Sequence, residues 1–271
     1  MSAAAAEWLA PSTLDAALAL RAERVDATVL AGGTFLGILV NQGFVEPTAL
    51  LSLGQVAELR ALELAGGGEL RIGAMVTHRT LERDPRVRER WPALAHAFSL
   101  VASPRVRNQA TVGGVLADAD YASDPPAMLA ALEARAVLRS ARGEREVAID
   151  DLILGYYETC IAPDELLVEV RVPPAPAAAV YRKFRSRSSE DRPCVAVAAA
   201  RRGDALRVVV GAVADTPQHF PDVCALGAAH AAEIGAAYAE RIAPIDDARG
   251  SAAYRRRVTA VEVRRAIEAL A

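Results

Sequence analysis

Cysteine is scarce in this chain of 271 residues, and its scarcity excludes several kinds of site. Cys160, Cys194 and Cys224 lie far apart, with no CxxC pair and no histidine at ligand spacing. A structural zinc ion or an iron–sulfur cluster usually needs about four such ligands, so we expect neither in this chain. An odd number of free thiols is typical of a reducing compartment.

Long apolar runs and a basic leader are also missing. No stretch approaches the roughly 20 apolar residues of a membrane-spanning helix, so we expect no membrane span. The N-terminus MSAAAAEWLAPS carries Glu7 early and has no basic segment, which favours a cytoplasmic protein over a secreted one. The formal net charge of −3 argues against the basic face that nucleic-acid binding requires.

The common catalytic and nucleotide-binding motifs are absent as well. The sequence contains no GxGxxG, no GxxxxGK[ST] and no GxSxG, which argues against a Rossmann site, a P-loop and a nucleophile elbow. The four histidines form no set with a serine, cysteine or aspartate. Chemistry in this protein is therefore expected to belong to a bound cofactor.

Lysine occurs once. The 31 basic residues are 30 arginines and Lys183, an imbalance that indicates a coding bias toward arginine. A lone lysine under that bias has two interpretations, chance or a position that needs a compact ammonium group which a planar guanidinium cannot replace.

Strands and helices are mixed, hairpins are common and βαβ alternation occurs only at the N-terminus, an order that predicts an α+β fold. Residues 12–24 predict a capped helix, and the Gly66–Gly68 and Arg142-Gly143 turns predict two hairpins. Further strands are expected at VYRKFRSR, PCVAVAAARR and ALRVVVGAVA, and helices at about 223–241 and 253–270. The Pro/Ala-rich stretch 173–179 reads as a linker, which predicts one domain at 1–174, with subdomains of about 1–56 and 57–174, and another at 178–271.

Two Gly-Gly pairs are the strongest local signals. AGGT at 31–34 and TVGG at 111–114 are each expected to direct consecutive backbone N–H groups at phosphate oxygens. Two such loops favour a diphosphate, and hence a long ligand with different chemistry at its ends. Asp124, near the second loop, would then bond hydroxyl groups elsewhere on that ligand.

Motifs along nearly the whole chain resemble one known family. AGGT (31–34), SPRVRNQATVGG (103–114), ADADYASD (117–124), DELLVEVRVP (164–173), YRKF (181–184), VGAVADTP (210–217) and PIDDARGSAAYRRRV (244–258) occur in family order. The chain thus resembles the FAD-binding medium subunit of the molybdenum hydroxylases, such as carbon monoxide dehydrogenase and xanthine dehydrogenase.

The resemblance implies a fold and partners that composition does not reveal. It implies the FAD-binding fold of the vanillyl-alcohol oxidase and p-cresol methylhydroxylase type, followed by a small C-terminal α+β domain. It also implies non-covalent FAD, a large subunit with the molybdenum cofactor that sets the organic substrate, and a small subunit with two [2Fe–2S] clusters. A dimer of such heterotrimers is expected.

The resemblance also assigns residues to the FAD site. Gly32 to Leu36 match the first FAD loop, and Thr111, Gly113 and Gly114 match the pyrophosphate loop. Val101 corresponds to an apolar residue against the isoalloxazine ring, Leu167 to one near the adenine, and Asp124 and Lys183 to further site positions. The assigned set is Gly32, Gly33, Thr34, Phe35, Leu36, Val101, Thr111, Gly113, Gly114, Asp124, Leu167 and Lys183. No catalytic or metal-binding residue is assigned.

Three positions depart from the family pattern and keep alternatives open. Val115 stands where the family usually has asparagine, Asp118 where a histidine is common, and Phe35 where a polar residue is common. One alternative is a stand-alone flavin reductase similar to the enolpyruvyl-UDP-sugar reductases. The other, which rests on Val115 and Phe35, is a scaffold without flavin that assembles its partners.

Overall fold

The computed structural model describes residues 6–188 and 190–271. The interpretation of the N-terminus concerns in part residues 1–5, which lie outside the described residues. Three sheets, one small hairpin and twelve α-helices form the described part of the chain, and the predicted α+β class is confirmed.

The first half of the chain contains a small parallel sheet followed by a run of short helices. Thr13 caps the first helix by accepting a hydrogen bond from the Ala16 N–H, as the sequence predicts. Three consecutive short helices begin at Pro85, Pro92 and Pro104, because a proline ring ends the preceding helix and suits the first turn of the next. The elements in order are β1 (Glu7–Leu9), α1 (Leu14–Glu23), β2 (Thr28–Leu30), α2 (Leu36–Asn41), β3 (Ala49–Ser52), β4 (Leu62–Leu64), β5 (Leu70–Gly73), α3 (His78–Arg83), α4 (Pro85–Arg90), α5 (Pro92–Ser99), α6 (Pro104–Arg107), α7 (Val112–Asp118) and α8 (Pro125–Ala131).

The second half is richer in long strands. Both predicted hairpins form, one in each half of the chain: the first turns at Gly66–Gly68, and the second turns just before the strand that begins at Gly143. The elements in order are β6 (Arg135–Ser140), β7 (Gly143–Ala148), α9 (Ile149–Leu152), β8 (Ile153–Gly155), β9 (Glu158–Thr159), β10 (Leu166–Val172), β11 (Ala178–Phe184), β12 (Val195–Arg202), β13 (Ala205–Gly211), α10 (Pro221–Cys224), α11 (Ala231–Arg241) and α12 (Ala252–Glu268).

The sheets differ in strand direction. The first has the order β1-β3-β2 and is parallel, the second has the antiparallel order β4-β5-β10-β6-β7, and the third has the antiparallel order β11-β12-β13. Helices α5 and α8 pack on one face of the third sheet, and α11 and α12 cover its other face. Strand β12 is therefore buried on both faces, which explains its uninterrupted run of small apolar residues.

Two boundary predictions were wrong. The helix expected over 223–241 is interrupted, because Gly227 adopts a left-handed φ of 81° and separates α10 from α11. The segment expected to be a linker up to residue 179 already contributes Ala178 to strand β11, where it pairs with Arg201. Pairing with β12 decided the second boundary, which the composition of the segment does not indicate.

Candidate cofactor-binding site

A cavity of about 420 Å³ lies where the β2–α2 loop, the segment after α5, helix α7 and strand β11 meet. This volume is within the range of small-molecule sites, roughly 300–1,000 Å³. The structure brings together all twelve residues that the sequence assigned to one site. The cavity is lined by Gly32, Gly33, Thr34, Phe35, Leu36, Val101, Thr111, Gly113, Gly114, Asp124, Leu167 and Lys183, among others.

The first glycine loop offers free hydrogen-bond donors. Within residues 6–188 and 190–271, no acceptor is found for the backbone N–H groups from Gly32 to Phe35. Gly33 has a φ of 69°, which glycine adopts without steric cost. A Cβ on Gly32 would lie 2.0 Å from the carbonyl oxygen of Gln109, so only glycine lets the loop approach that segment. Four consecutive unpaired donors suit an anionic or carbonyl-rich ligand.

The second glycine loop is built differently, and the prediction that its N–H groups are free is wrong. The Val112 and Gly113 N–H groups donate to the carbonyl oxygens of Val76 at 3.0 Å and Ala74 at 2.8 Å. The Gly114 N–H donates to the hydroxyl of Thr111 at 3.1 Å. The glycine at 113 is needed because a Cβ there would lie 2.7 Å from the Cβ of Ala74. This loop therefore docks helix α7 against the backbone after β5.

The lone lysine lies in a buried ion pair at the cavity wall. Lys183 donates from Nζ to Oδ2 of Asp124 at 2.9 Å and to the carbonyl oxygen of Leu100 at 2.8 Å. The hydroxyl of Tyr181 donates to the other carboxylate oxygen of Asp124 at 2.7 Å. Burial lowers the pKa of Lys183, and the Asp124 carboxylate offsets part of that effect. An ammonium has three donors, so one remains for a ligand in the cavity.

Asp124 has partners that the sequence did not suggest. Its carboxylate is buried, and both of its oxygens already accept hydrogen bonds from side chains of β11. Burial raises the pKa of Asp124, while Lys183 and Tyr181 lower it. Strand periodicity could have identified Tyr181, because residues two apart on a strand share a face and Tyr181 precedes Lys183 by two.

Aromatic and charged side chains surround the cavity beside the first loop. The ring of Phe35 stacks on Tyr157 at 5.8 Å between centroids, and the guanidinium of Arg192 lies 5.8 Å from the Phe35 centroid. Arg192 also pairs with Asp120 at 2.6 Å. Phe35 thus has protein partners here, which gives a physical reason for an aromatic residue where the family often has a polar one.

Two further titratable groups line the cavity. Burial, with the neighbouring Asp120, raises the pKa of Asp118 to about 7. Burial lowers the pKa of His78 to about 4, so its imidazole is neutral near pH 7. His78 places Nε2 3.2 Å from the carbonyl oxygen of Thr111, which can only accept, so Nε2 carries the hydrogen. The sequence singled out neither as a site residue.

The C-terminal motif reaches the cavity indirectly. Asp247 accepts hydrogen bonds from the hydroxyl of Tyr121 at 2.7 Å and from the buried guanidinium of Arg255. Tyr121 belongs to the segment between α7 and α8, several of whose residues line the cavity. The motif residues therefore tie this segment to the third sheet, where Arg255 donates to the carbonyl oxygen of Cys194.

The arrangement can bind an organic ligand. Among the residues that the structure describes, no group of three histidine, cysteine, aspartate or glutamate side chains could hold a metal ion. None of the helices within the same residues is long and apolar enough to cross a membrane. Free amides, apolar walls and a buried lysine fit a long ligand with an anionic group and a ring.

Family comparisons agree with these observations. Residues 4–175 match the family described as "FAD binding domain in molybdopterin dehydrogenase". Residues 179–270 match the family described as "CO dehydrogenase flavoprotein C-terminal domain". Both families are those of FAD subunits in molybdenum-containing dehydrogenases.

Individual relatives are similar over nearly their whole length. The nicotine 6-hydroxylase medium subunit of Paenarthrobacter nicotinovorans is 32% identical over an alignment of 277 positions, which covers 98% of each chain. The carbon monoxide dehydrogenase medium chain of Afipia carboxidovorans is 31% identical, with 95% of this chain and 93% of the relative covered.

Solved structures share the fold. A chain of quinoline 2-oxidoreductase from Pseudomonas putida 86 superimposes with a TM-score of 0.91 at 30% identity, and 100% of this chain and 98% of that one are covered. A chain of carbon monoxide dehydrogenase from Hydrogenophaga pseudoflava gives a TM-score of 0.88 at 32% identity, with 100% and 98% covered. The resemblance drawn from sequence motifs is confirmed: this chain belongs to the family of FAD-binding medium subunits of the molybdenum hydroxylases.

Proposed function

We propose that this chain carries FAD as the electron-transfer subunit of a multi-subunit molybdenum hydroxylase. The run of unpaired amides from Gly32 to Phe35, in the same cavity as the buried Lys183–Asp124 pair, is the observation that carries the proposal. Bound FAD accepts electrons from one redox centre and passes them to another. The chain itself supplies binding, orientation and exclusion of water.

Each part of the cavity takes a different part of FAD in this proposal. The amides of Gly32, Gly33 and Thr34 bind the pyrophosphate, because a diphosphate presents several acceptor oxygens close together. Val101 lies against the isoalloxazine ring and Leu167 near the adenine. Thr111, Gly113 and Gly114 hold α7 in place beside the first loop. FAD is bound without a covalent link, within an FAD-binding domain of 1–174 followed by a C-terminal domain of 178–271.

The partners follow from what the relatives are. They are named medium subunits or medium chains of nicotine and carbon monoxide oxidising enzymes, which implies other subunits in each complex. We propose a large subunit with the molybdenum cofactor and a small [2Fe–2S] subunit, assembled as a cytoplasmic dimer of heterotrimers. In such an assembly the clusters of the small subunit would be the electron donors to the FAD that this chain holds.

Flavin binding by the chain expressed alone tests the proposal. We expect an oxidised-flavin absorption spectrum with about one FAD per chain after reconstitution, and release of the flavin into the supernatant on acid precipitation. Hydroxylase activity should be absent without the other subunits. A chain that stays colourless with excess FAD would support the scaffold alternative, and substrate oxidation by the isolated chain would support a stand-alone reductase.

Lys183→Met tests the place of this lysine in the site within the same experiment. Loss of the ammonium leaves Asp124 buried without its cation, so we expect weaker FAD binding and lower stability. The matched control is Arg182→Met, which removes a neighbouring cation that faces Glu262 at 2.7 Å and does not line the cavity. Equal FAD affinity in the two variants would contradict the place of Lys183 in the site.

A further inference from the structure

Three consecutive carbonyl oxygens at the cavity wall each accept a hydrogen bond from a buried cation. Lys183 donates to the carbonyl of Leu100 at 2.8 Å. Arg107 donates from Nη1 to the carbonyls of Val101 at 2.8 Å and Ala102 at 2.9 Å. Such charge-assisted bonds are about twice as strong as neutral ones, so the direction of these carbonyls is firmly fixed.

Arg107 is itself held in place. Its side chain is buried, and Nε donates to a carboxylate oxygen of Glu82 at 2.9 Å, while Arg79 contacts the other oxygen at 2.7 Å. The clamped segment includes Ala102 with a φ of 39°, a left-handed conformation that costs a residue with a side chain about 1 kcal/mol or more. The two hydrogen bonds from Arg107 offset this cost.

The orientation of the carbonyls determines where the following N–H groups point. In a trans peptide the C=O and the next N–H lie in one plane and point in opposite directions, so carbonyls turned toward Arg107 turn the Ala102 and Ser103 N–H groups away from it. Neither N–H has an acceptor among residues 6–188 and 190–271, whereas the Val101 N–H donates to Phe98. Val101 and Ala102 line the cavity.

We infer that Arg107 is a positioning residue, which presents the N–H groups of Ala102 and Ser103 to acceptor atoms of the flavin ring. The inference rests on the proposed function, in which Val101 lies against that ring. Fixed donors stabilise the state that carries more negative charge, because they need no reorganisation when charge arrives. The reduced ring is the more electron-rich state, so this pair of donors favours bound reduced FAD over oxidised FAD.

Arg107→Gln tests the inference through the ratio of two affinities. Without the two clamped carbonyls, we expect the affinity for reduced FAD to fall about tenfold more than that for oxidised FAD. Thermodynamic linkage converts this ratio into a two-electron midpoint potential lower by about 30 mV. Flavin titration gives the affinity for oxidised FAD, and spectroelectrochemistry of the bound flavin gives the potential.

Three variants separate this role from general stability. Arg79→Gln removes the other cation on Glu82 and does not touch the clamped segment, so its potential should equal that of the unchanged protein. Arg107→Lys has one nitrogen, whereas Arg107 uses Nε for Glu82 and Nη1 for the two carbonyls, so an ammonium paired with Glu82 leaves the carbonyls. It should therefore reproduce the shift even if Arg107→Gln folds poorly. Ala102→Gly added to Arg107→Lys should restore part of the potential, because glycine adopts the left-handed conformation without the clamp.

The outcomes distinguish this inference from the proposed function. If the unchanged chain binds no FAD, the proposed function fails. If it binds FAD and Arg107→Lys leaves the ratio of affinities unchanged, the positioning role of Arg107 is wrong and the proposed function stands. A shift of the same size in Arg79→Gln would also overturn the inference, because it would attribute the effect to the Glu82 ion pairs.

Discussion

The two Gly-Gly loops are similar in sequence, but they have different roles in the structure. Among the residues that the structure describes, the N–H groups from Gly32 to Phe35 in the first loop have no acceptor and lie beside the cavity. In the loop at 111–114, the N–H groups of Val112, Gly113 and Gly114 are all bound within the protein. One loop can therefore bind a ligand directly, and the other positions helix α7 beside it.

The comparison shows what a glycine pair does and does not reveal. Gly32 and Gly113 both permit close approach, since an added Cβ would lie within 3 Å of another segment of the protein. In both cases the approaching group is protein backbone or an alanine methyl. A glycine pair thus indicates that another group packs closely against the backbone. Only the three-dimensional structure shows whether that group belongs to a ligand or to the protein.

Gly32→Ala should have the largest effect. The new methyl group would lie 2.0 Å from the carbonyl oxygen of Gln109, and backbone cannot move aside cheaply. We expect the free energy of unfolding to fall by about 3 kcal/mol, together with loss of FAD binding. Urea unfolding and flavin titration measure both. Gly37→Ala, where the methyl group meets nothing within 4 Å in helix α2, is the control and should be neutral or slightly stabilising. Equal stability of the two variants would contradict the close packing of the loops.

Thr111→Val should lower stability with little change in FAD affinity. The hydroxyl caps α7 by accepting from the Gly114 N–H, and loss of an N-cap costs about 1–2 kcal/mol. Because this loop's N–H groups serve the fold, the FAD dissociation constant should change by less than about threefold. Thr111→Ser keeps the oxygen and serves as the control. A large loss of FAD affinity at unchanged stability would instead indicate that the second loop contacts the pyrophosphate directly.

Gly33→Ala should have a small effect on stability and a larger effect on FAD affinity. The left-handed φ of 69° makes alanine cost about 1 kcal/mol, and relaxation of that strain turns the unpaired N–H groups away from the cavity. We expect an FAD affinity about tenfold lower. Gly43 has a φ of 72° with open space around it and lies outside the cavity lining, so Gly43→Ala has a similar backbone cost without the effect on FAD. Equal losses of affinity in both variants would refute the distinction between the loops.

Asp118→Asn should have an effect that is confined to a pH window. Asp118 ends the helix that the second loop begins, and its pKa of about 7 in the folded protein exceeds the value of about 3.9 expected when unfolded. Between about pH 4 and 7 the folded state binds more protons, so stability falls as the pH rises through this window. The variant should lack this decline. Urea unfolding of both proteins at pH 5 and pH 8 measures it, and parallel profiles would contradict the assignment.

Local patterns predicted most elements because they depend on nearby residues. The cap at Thr13 and the hairpin turn at Gly66–Gly68 each act over a few residues, and both form as predicted. The helix around 223–241 was predicted as one element because its composition is helical throughout, and the left-handed Gly227 was not recognised as its break. The start of β11 at Ala178 follows from pairing with β12, which no pattern within 173–179 contains.

The sequence by itself identified the family, suggested the twelve candidate residues and drew attention to the single lysine. The order and spacing of motifs can be seen along the sequence without any knowledge of the contacts between residues. Only the tertiary structure decided that Lys183 pairs with Asp124 and that Arg107 holds the carbonyls of Val101 and Ala102. It also decided that the N–H groups of the second loop donate to the carbonyl oxygens of Ala74 and Val76. Most of these contacts join residues tens of positions apart, and even Arg107 acts through a turn whose geometry the fold sets. Hydrogen-bond partners are fixed by distances of about 3 Å in space, which spacing along the chain does not encode.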